Sequence, residues 1–252
     1  MINPPICRMG GKSKLRKKII EMIPEHTCYI ELFFGAGWVY FGKEPSKIEA
    51  INDIDGELIN MFKMIKNHAP EVERLLKYEI ASRDQFNNYL KCDIKSLTEI
   101  ERAVRFLFII NESFGGLGKH FGNNNSRKPT QKIFNDEYLE VIRERLKNTF
   151  IENLSFEKII DKYDTENSFF FCDPPYFELT GYHNEFGEKE HLLLRDKLKN
   201  LKGKFLLTIN DHPKVREWYR DFNIEEVKVN YSICKDNKGR GKYNELIISN
   251  LI

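Results

Sequence analysis

The chain has 252 residues, of which 41% are apolar and 31% charged, with a formal net charge of +2. That length can bury a substantial core, and the mix excludes disorder and low-complexity sequence. No apolar run approaches the roughly 20 residues that a membrane-crossing helix needs, and MINPPICRMGGK lacks the basic-then-apolar order of a signal peptide, so a cytoplasmic protein without membrane association is expected.

In chain order, a basic run comes first: Arg8, Lys12, Lys14, Arg16, Lys17 and Lys18 follow one another with no acid between them. It merges into a helical pattern, KSKLRKKIIEMI. CYIELFF (28–34) is the first run rich in β-branched and aromatic residues and predicts a strand. It closes on FFGAG (33–37), after which WVYFGK reads as a short helix. IEAIND (48–53) predicts the second strand, with GELINMFKMIKNH, a helical pair over 71–91 and LTEIERAVRFLFII following as helices.

Residues 112–133, ESFGGLGKHFGNNNSRKPTQKI, have a different texture. Four glycines, a polar Asn-Asn-Asn-Ser run and no lasting period predict an inserted loop or short hairpin. Over 113–135, Lys119, Arg127, Lys128 and Lys132 stand without an acid. The helical pattern DEYLEVIRERLKN then precedes strands at TFIEN (149–153) and FFFCD (169–173). The helical KEHLLLRDKLKN leads to strand KFLLTIN (204–210), and PKVREWYRD to EEVKVNYSI (225–233). The polar KDNKGRGKY joins this last strand to NELIISNLI (244–252) with no helix between, which makes an antiparallel hairpin.

Alternating strands and helices predict an α/β, Rossmann-like, doubly wound and mainly parallel sheet of about seven strands, ending in that hairpin. Residues 1–70 and 148–252 are expected to form the catalytic domain, with 71–147 as a helical insertion carrying the recognition segment. The five cysteines, Cys7, Cys28, Cys92, Cys172 and Cys234, are scattered, with no Cys-x-x-Cys pair and no histidine at ligand spacing. Neither a disulfide framework nor a metal site is expected.

Chemistry concentrates at three strand ends. FFGAG lets main-chain N–H groups approach a ligand closely, which suits a nucleoside and marks Phe34, Gly35 and Gly37 as cofactor-binding candidates. Asp53 ends the next strand, where a Rossmann-like half presents an acid to ribose hydroxyls; Asp55 and Glu57 read better as helix starters. FFFCDPPYFE (169–178) then drives an apolar strand into Asp173, after which Pro174 and Pro175 fix φ and remove two main-chain donors. An acceptor carboxylate, a carbonyl that no neighbouring donor claims and the ring of Tyr176 suit a planar group bearing an NH₂.

With FFGAG, NDIDGELIN and DPPY in this order, the chain resembles the Dam-type DNA adenine-N6 methyltransferases over nearly its whole length. NPPICRMGGKSKL is similar to the family's Gly-Gly-Lys segment, NESFGGLGKHFG falls where its target-recognition element lies, and RGKYNELIISN matches its closing hairpin. The resemblance implies S-adenosyl-L-methionine as cofactor and double-stranded DNA as substrate. It assigns Arg8 and Lys12 to the cofactor pocket, Asp53 to the ribose hydroxyls, and Asp173 to a site shared by cofactor and target base. Arg8 stands where the family often has an aromatic residue. Glu112 and Gly115 replace the Arg and Asn common in GATC-specific members, which points to a relaxed preference.

The expected reaction moves the sulfonium methyl group to N6 of a flipped-out adenine. Asp173 and the Pro174 carbonyl accept the two N–H bonds, Tyr176 stacks on the base, and no metal takes part. Phe114 or Phe121 could wedge into the vacated stack, and Lys119, Arg127, Lys128 and Arg240 are the phosphate-contact candidates. A monomer is expected, with a cognate restriction nuclease as an open partner. Methylation of RNA or of a protein glutamine amide, and an inactive nucleic-acid-binding relative, are the alternatives.

Overall fold

A computed structural model of the chain describes residues 1–8, 10–122, 137–178, 186–230 and 242–251. Each predicted strand forms: β1 (Cys28–Glu31), β2 (Ile48–Asn52), β3 (Thr149–Glu152), β4 (Ser168–Cys172), β5 (Lys204–Asn210), β6 (Asn223–Asn230) and β7 (Lys242–Ser249). They lie in one sheet in the order β3-β2-β1-β4-β5-β7-β6. β1 runs parallel to β2 and β4, and β4 parallel to β5; β7 is antiparallel to both β5 and β6. The expected mainly parallel sheet with an antiparallel C-terminal pair is therefore what the chain adopts.

Eight α-helices occur among the described residues: α1 (Arg16–Glu21), α2 (Gly56–Leu76), α3 (Arg83–Lys91), α4 (Glu99–Glu112), α5 (Tyr138–Leu146), α6 (Phe156–Tyr163), α7 (Glu188–Lys199) and α8 (Pro213–Trp218). The helices depart from the reading of the sequence at three places. The first half of the helical pair over 71–91 is the end of α2, which continues through a break at His68, two residues before Pro70. A proline inside a helix removes one main-chain donor and crowds the preceding turn, so the helix kinks rather than stops. α6 was not expected, although Phe156, Ile159, Ile160 and Tyr163 carry the helical spacing. WVYFGK is a series of turns rather than a helix: Phe41 N–H bonds the Gly37 carbonyl at 2.9 Å and Gly42 N–H bonds that of Val39 at 2.9 Å, after which the chain moves on.

The chain divides into two compact units, each built from several stretches. One comprises 1–16, 35–43 and 55–153; the other comprises 17–34, 44–54 and 154–252. This cuts differently from the expected catalytic domain and insertion. The N-terminal segment, the glycine turn and α2 group with the middle of the chain, because α2 packs along both α4 and α5.

In the helical unit, Asp55 caps α2 by accepting the N–H groups of Glu57 and Leu58, and Thr98 with Glu101 forms a capping box on α4. The buried faces of these helices carry Leu58, Phe62, Ile65, Ala103 and Leu107. In the sheet unit, one continuous cluster joins Ile30, Phe170, Leu207 and Leu246 from the strands to Ile159, Leu194 and Leu198 from the helices and to Tyr219 just past the end of α8. Strands β1 and β4 are buried along their whole length, as parallel strands covered on both faces must be.

Candidate active site

In the sheet unit, the predicted residues gather at the carboxyl ends of β2, β1 and β4. Beyond β1, Leu32 N–H still bonds the Phe171 carbonyl at 3.1 Å; Phe34 N–H then bonds the Asn52 carbonyl at 2.8 Å. The strand therefore ends before the predicted Phe34. Asn52, buried at 2% exposure, donates through Nδ2 to the carbonyls of Leu32 and Leu154, both at 3.0 Å, and accepts the Leu154 N–H at 2.9 Å. This side chain ties three segments together immediately before Asp53, which is half-buried at the strand end. Ile54 beside it is 56% exposed and presents an apolar surface next to the acid.

Asp173 follows β4 and is half-buried. The register Cys172↔Leu207 sets it beside Thr208 of β5, whose Oγ1 donates to Asp173 Oδ1 at 2.9 Å. Thr208 is fully buried, so this bond holds the carboxylate in one orientation. Two residues further along β5, Asn210 grips the Phe177 main chain from both sides. Its Oδ1 accepts the Phe177 N–H at 2.9 Å and its Nδ2 donates to the Phe177 carbonyl at 3.1 Å. The DPPY corner is thus pinned at its first residue and just past its last. Glu178 then turns the chain with φ 57°, a left-handed conformation uncommon for a non-glycine residue.

Tyr176 is 8% exposed and belongs to the core cluster, so its ring is mostly covered rather than standing as an open platform. Cys172, one residue before Asp173, is fully buried, and burial pushes its thiol well above the ordinary range; it packs as a small apolar group. Thr208, Asn210 and Asn52 were not singled out in the sequence.

The remaining candidates lie in the helical unit. Gly35 has φ +50° and nothing within 4 Å of the place where a Cβ would stand, so its main chain is open to close approach; Gly37, at φ 75°, is buried. Lys12 is 3% exposed and its Nζ donates to the Gly10 carbonyl at 2.7 Å. Arg8 is drawn to Asp55 rather than to open solvent: its Nη2 lies 3.0 Å from Asp55 Oδ2, and its guanidinium sits 5.7 Å from the Phe106 ring centre.

The recognition segment packs directly on this N-terminal stretch. Gly116, at φ +69°, lies so close to it that a Cβ would stand 1.9 Å from the Cys7 carbonyl oxygen. A bridge between Ser113 and Phe121 and the Gly122 N–H bond to the Glu112 carbonyl at 2.7 Å close the segment's base. Glu112 is 8% exposed, and burial raises its carboxyl pKa.

The two wedge candidates separate here. Phe121 sits edge-on to Phe86 with ring centres 5.6 Å apart, under the Arg83 guanidinium, whereas Phe114 is 44% exposed. Lys119 is exposed; Arg127, Lys128 and Arg240 lie outside the described residues. Among the described residues, no group of three or more His, Cys, Asp or Glu is placed to hold a metal ion, and no helix is long and apolar enough to cross a membrane.

An oriented carboxylate beside a proline carbonyl at the end of β4, and a second acid at the end of β2, form a set of acceptors that suits an amino-bearing heterocycle and a ribose. Comparison with known proteins agrees. The model of the D12 class N6 adenine-specific DNA methyltransferases matches residues 9–233. The Type II methyltransferase M1.LlaDCHI of Lactococcus lactis subsp. cremoris is 31% identical, over 96% of this chain and 93% of that protein. The DNA adenine methylase of Haemophilus influenzae is 28% identical over 94% and 90%, and the Type II methyltransferase M.MjaIII of Methanocaldococcus jannaschii 29% identical over 99% of each. With the family's match running from the Gly-Gly-Lys segment through DPPY to the end of the described part of β6 and beyond, the chain belongs to the D12 class N6 adenine-specific DNA methyltransferases.

Proposed function

We propose that the corner Asp173-Pro174-Pro175-Tyr176 holds the adenine amino group in the reaction that family membership establishes, methylation of adenine N6 in DNA. The observation that carries this reading is the fixed carboxylate of Asp173, partly exposed at a strand end and oriented by a buried hydroxyl. N6 is a weak nucleophile because its lone pair is delocalised into the ring. As it turns pyramidal and positive, Asp173 and the Pro174 carbonyl accept its two N–H bonds and stabilise the charge. Because the corner is rigid before substrate arrives, little reorganisation is needed at the moment of reaction.

S-adenosyl-L-methionine supplies an activated methyl group when bound. The residues present fit it: Asp53 offers acceptors to vicinal hydroxyls, Ile54 an apolar face, and the glycine turn at Gly35 and Gly37 close main-chain approach after Phe34. Lys12 and Arg8 would act from the anchored positions described above, Arg8 through its bridge to Asp55.

On the DNA side, Phe114 is the wedge and Lys119, Arg127, Lys128 and Arg240 contact phosphates. Tyr176 supports the flipped base with whatever part of its ring turns toward it. The DNA-specific family leaves the RNA and protein-glutamine readings without support. The Type II names of two relatives favour pairing with a restriction nuclease, and action on the chromosome as a cytoplasmic monomer completes the reading.

The test is methyl transfer from radiolabelled cofactor to duplexes of differing sequence, with the product base identified after hydrolysis. N6-methyladenine that disappears with Asp173→Ala supports the assignment. Activity retained in that variant removes it.

A further inference from the structure

We propose that Asn52 and Asn210 are positioning residues that preset the two halves of the site separately, Asn52 for the cofactor and Asn210 for the adenine. The inference rests on the reading of Asp53 as the ribose acceptor and of the DPPY corner as the adenine site.

The two side chains do the same thing in two places. Each asparagine is the last residue of its strand, Asn52 of β2 and Asn210 of β5. Each turns its amide onto the main chain of one residue that has left another strand: Leu154, just past β3, and Phe177, past β4. In both pairs Oδ1 accepts the N–H at 2.9 Å, and Nδ2 donates to the carbonyl of that same residue, at 3.0 Å for Leu154 and 3.1 Å for Phe177. A primary amide carries both a donor and an acceptor, as a peptide group does, so each contact supplies one further rung of pairing after the main chains have diverged. Turning either amide over would set donor against donor and acceptor against acceptor, so its orientation is fixed.

What each contact holds differs. Asn52 is 2% exposed; its Nδ2 also donates to the Leu32 carbonyl at 3.0 Å, and its main-chain carbonyl accepts the Phe34 N–H at 2.8 Å. The chain leaving β1 and the chain past β3 are thus both tied to the residue before Asp53, and the placement of that acid and of Phe34 depends on one side chain. Ribose hydroxyls meet Asp53 in the ground state and the transition state alike, so a displaced Asp53 weakens binding rather than the transfer step. Asn210 instead stands two residues beyond Thr208, whose hydroxyl orients Asp173. It holds the far end of a corner in which Pro174 and Pro175 have no N–H with which to brace it. That corner acts on charge that develops at N6 during transfer, so its displacement slows the transfer itself.

The test uses the full chain with Asn52→Ala and Asn210→Ala. For each, S-adenosylhomocysteine affinity is measured by calorimetry, methyl transfer in a single turnover at saturating cofactor and duplex, and the thermal midpoint by melting. Asn52→Ala is expected to weaken S-adenosylhomocysteine by about 10-fold and to lower the transfer rate by less than about threefold; Asn210→Ala is expected to do the reverse. Asn210→Asp, which keeps the acceptor for the Phe177 N–H and loses the donor, recovers several-fold over Ala. Losses of affinity and rate that run in parallel in both variants, or that follow the midpoints, overturn the proposal, as does an Asn52→Ala protein with parental affinity. Should a variant fail to fold, amide hydrogen exchange of the unaltered enzyme decides. The Leu154 N–H is expected to exchange more slowly on adding S-adenosylhomocysteine, and the Phe177 N–H only when an adenine-containing duplex is added as well; the same response at both, or none at either, overturns the assignment. Asp53→Ala and Asp173→Ala separate this inference from the reading beneath it. If they abolish cofactor affinity and transfer respectively while the asparagine variants stay parental, the positioning roles fail alone; if they stay parental themselves, the site as read here fails.

Discussion

His191, in the first turn of α7, is fully buried, and that burial makes acid stability a quantitative test of how it is held. Burial away from water lowers its pKa from the ordinary 6.5 to about 4, against smaller opposing effects of Glu190 and the Pro175 carbonyl. The rings packed on it from other segments, Phe177, Phe186 and Trp218, carry no charge. The sign follows from proton counting. Between these two values the unfolded chain binds a proton that the folded chain refuses. The stabilisation is therefore complete above the unfolded pKa and is lost as pH falls toward the folded one.

Taking the two values at face, lowering the pH from about 7 to about 5 costs roughly 2 kcal/mol through this residue alone, and the full loss approaches about 3 kcal/mol. In a chain of this size that corresponds to a thermal midpoint lower by about 4 °C or more. Other groups titrate over the same range, so the measurement is the difference between the parent and His191→Phe, each melted at several pH values. The parent is expected to lose about 2 kcal/mol more than the variant over this interval, with the curves converging above about pH 7. Parallel curves would refute the reasoning, because they would mean that the imidazole reaches water or is already charged when folded.

Other consequences are more local. Thr208→Val removes the hydroxyl that orients Asp173 at 2.9 Å while keeping the buried shape. Since a hydrogen bond to a charged group contributes about 1.5–3 kcal/mol, methyl transfer should fall by about 10- to 100-fold with KM for DNA little changed, as measured by single-turnover kinetics. Gly116→Ala places a Cβ 1.9 Å from the Cys7 carbonyl at a φ of +69°, so the recognition segment must move. Discrimination among duplex sequences should weaken more than turnover on the best of them, and a competition assay between duplexes reads this. Lys119→Ala should lower the slope of log affinity against log salt by about one unit if Lys119 meets a phosphate, and leave it unchanged otherwise.

Much of the fold is legible in the residues because strands and turns are local. The seven apolar runs, the polar link before the last strand and the stop at Asp-Pro-Pro each show within ten residues or so. The helix at Phe156–Tyr163 was equally legible, since its apolar spacing is plain, but its eight residues lie between two strong strands and read as connection. WVYFGK has helix-forming composition and no length in which to form one.

What local reasoning could not reach is pairing. Thr208 matters because β5 lies beside β4 in the register that sets it next to Asp173, and Asn210 because the same strand continues past the corner. Nothing within KFLLTIN announces either role. Arg8 likewise reads as one cation in a basic run until Asp55, 47 residues away, is seen to hold it. The interleaving of the two units follows from helix packing that no linker composition marks.

The most direct test of the central claim is single-turnover transfer of a labelled methyl group by Asp173→Ala into an adenine-containing duplex, at saturating cofactor and DNA. The account predicts a rate at least about 100-fold below that of the parent, in a protein that still melts cooperatively near the parental temperature. A folded variant that methylates N6 at close to the parental rate would contradict it.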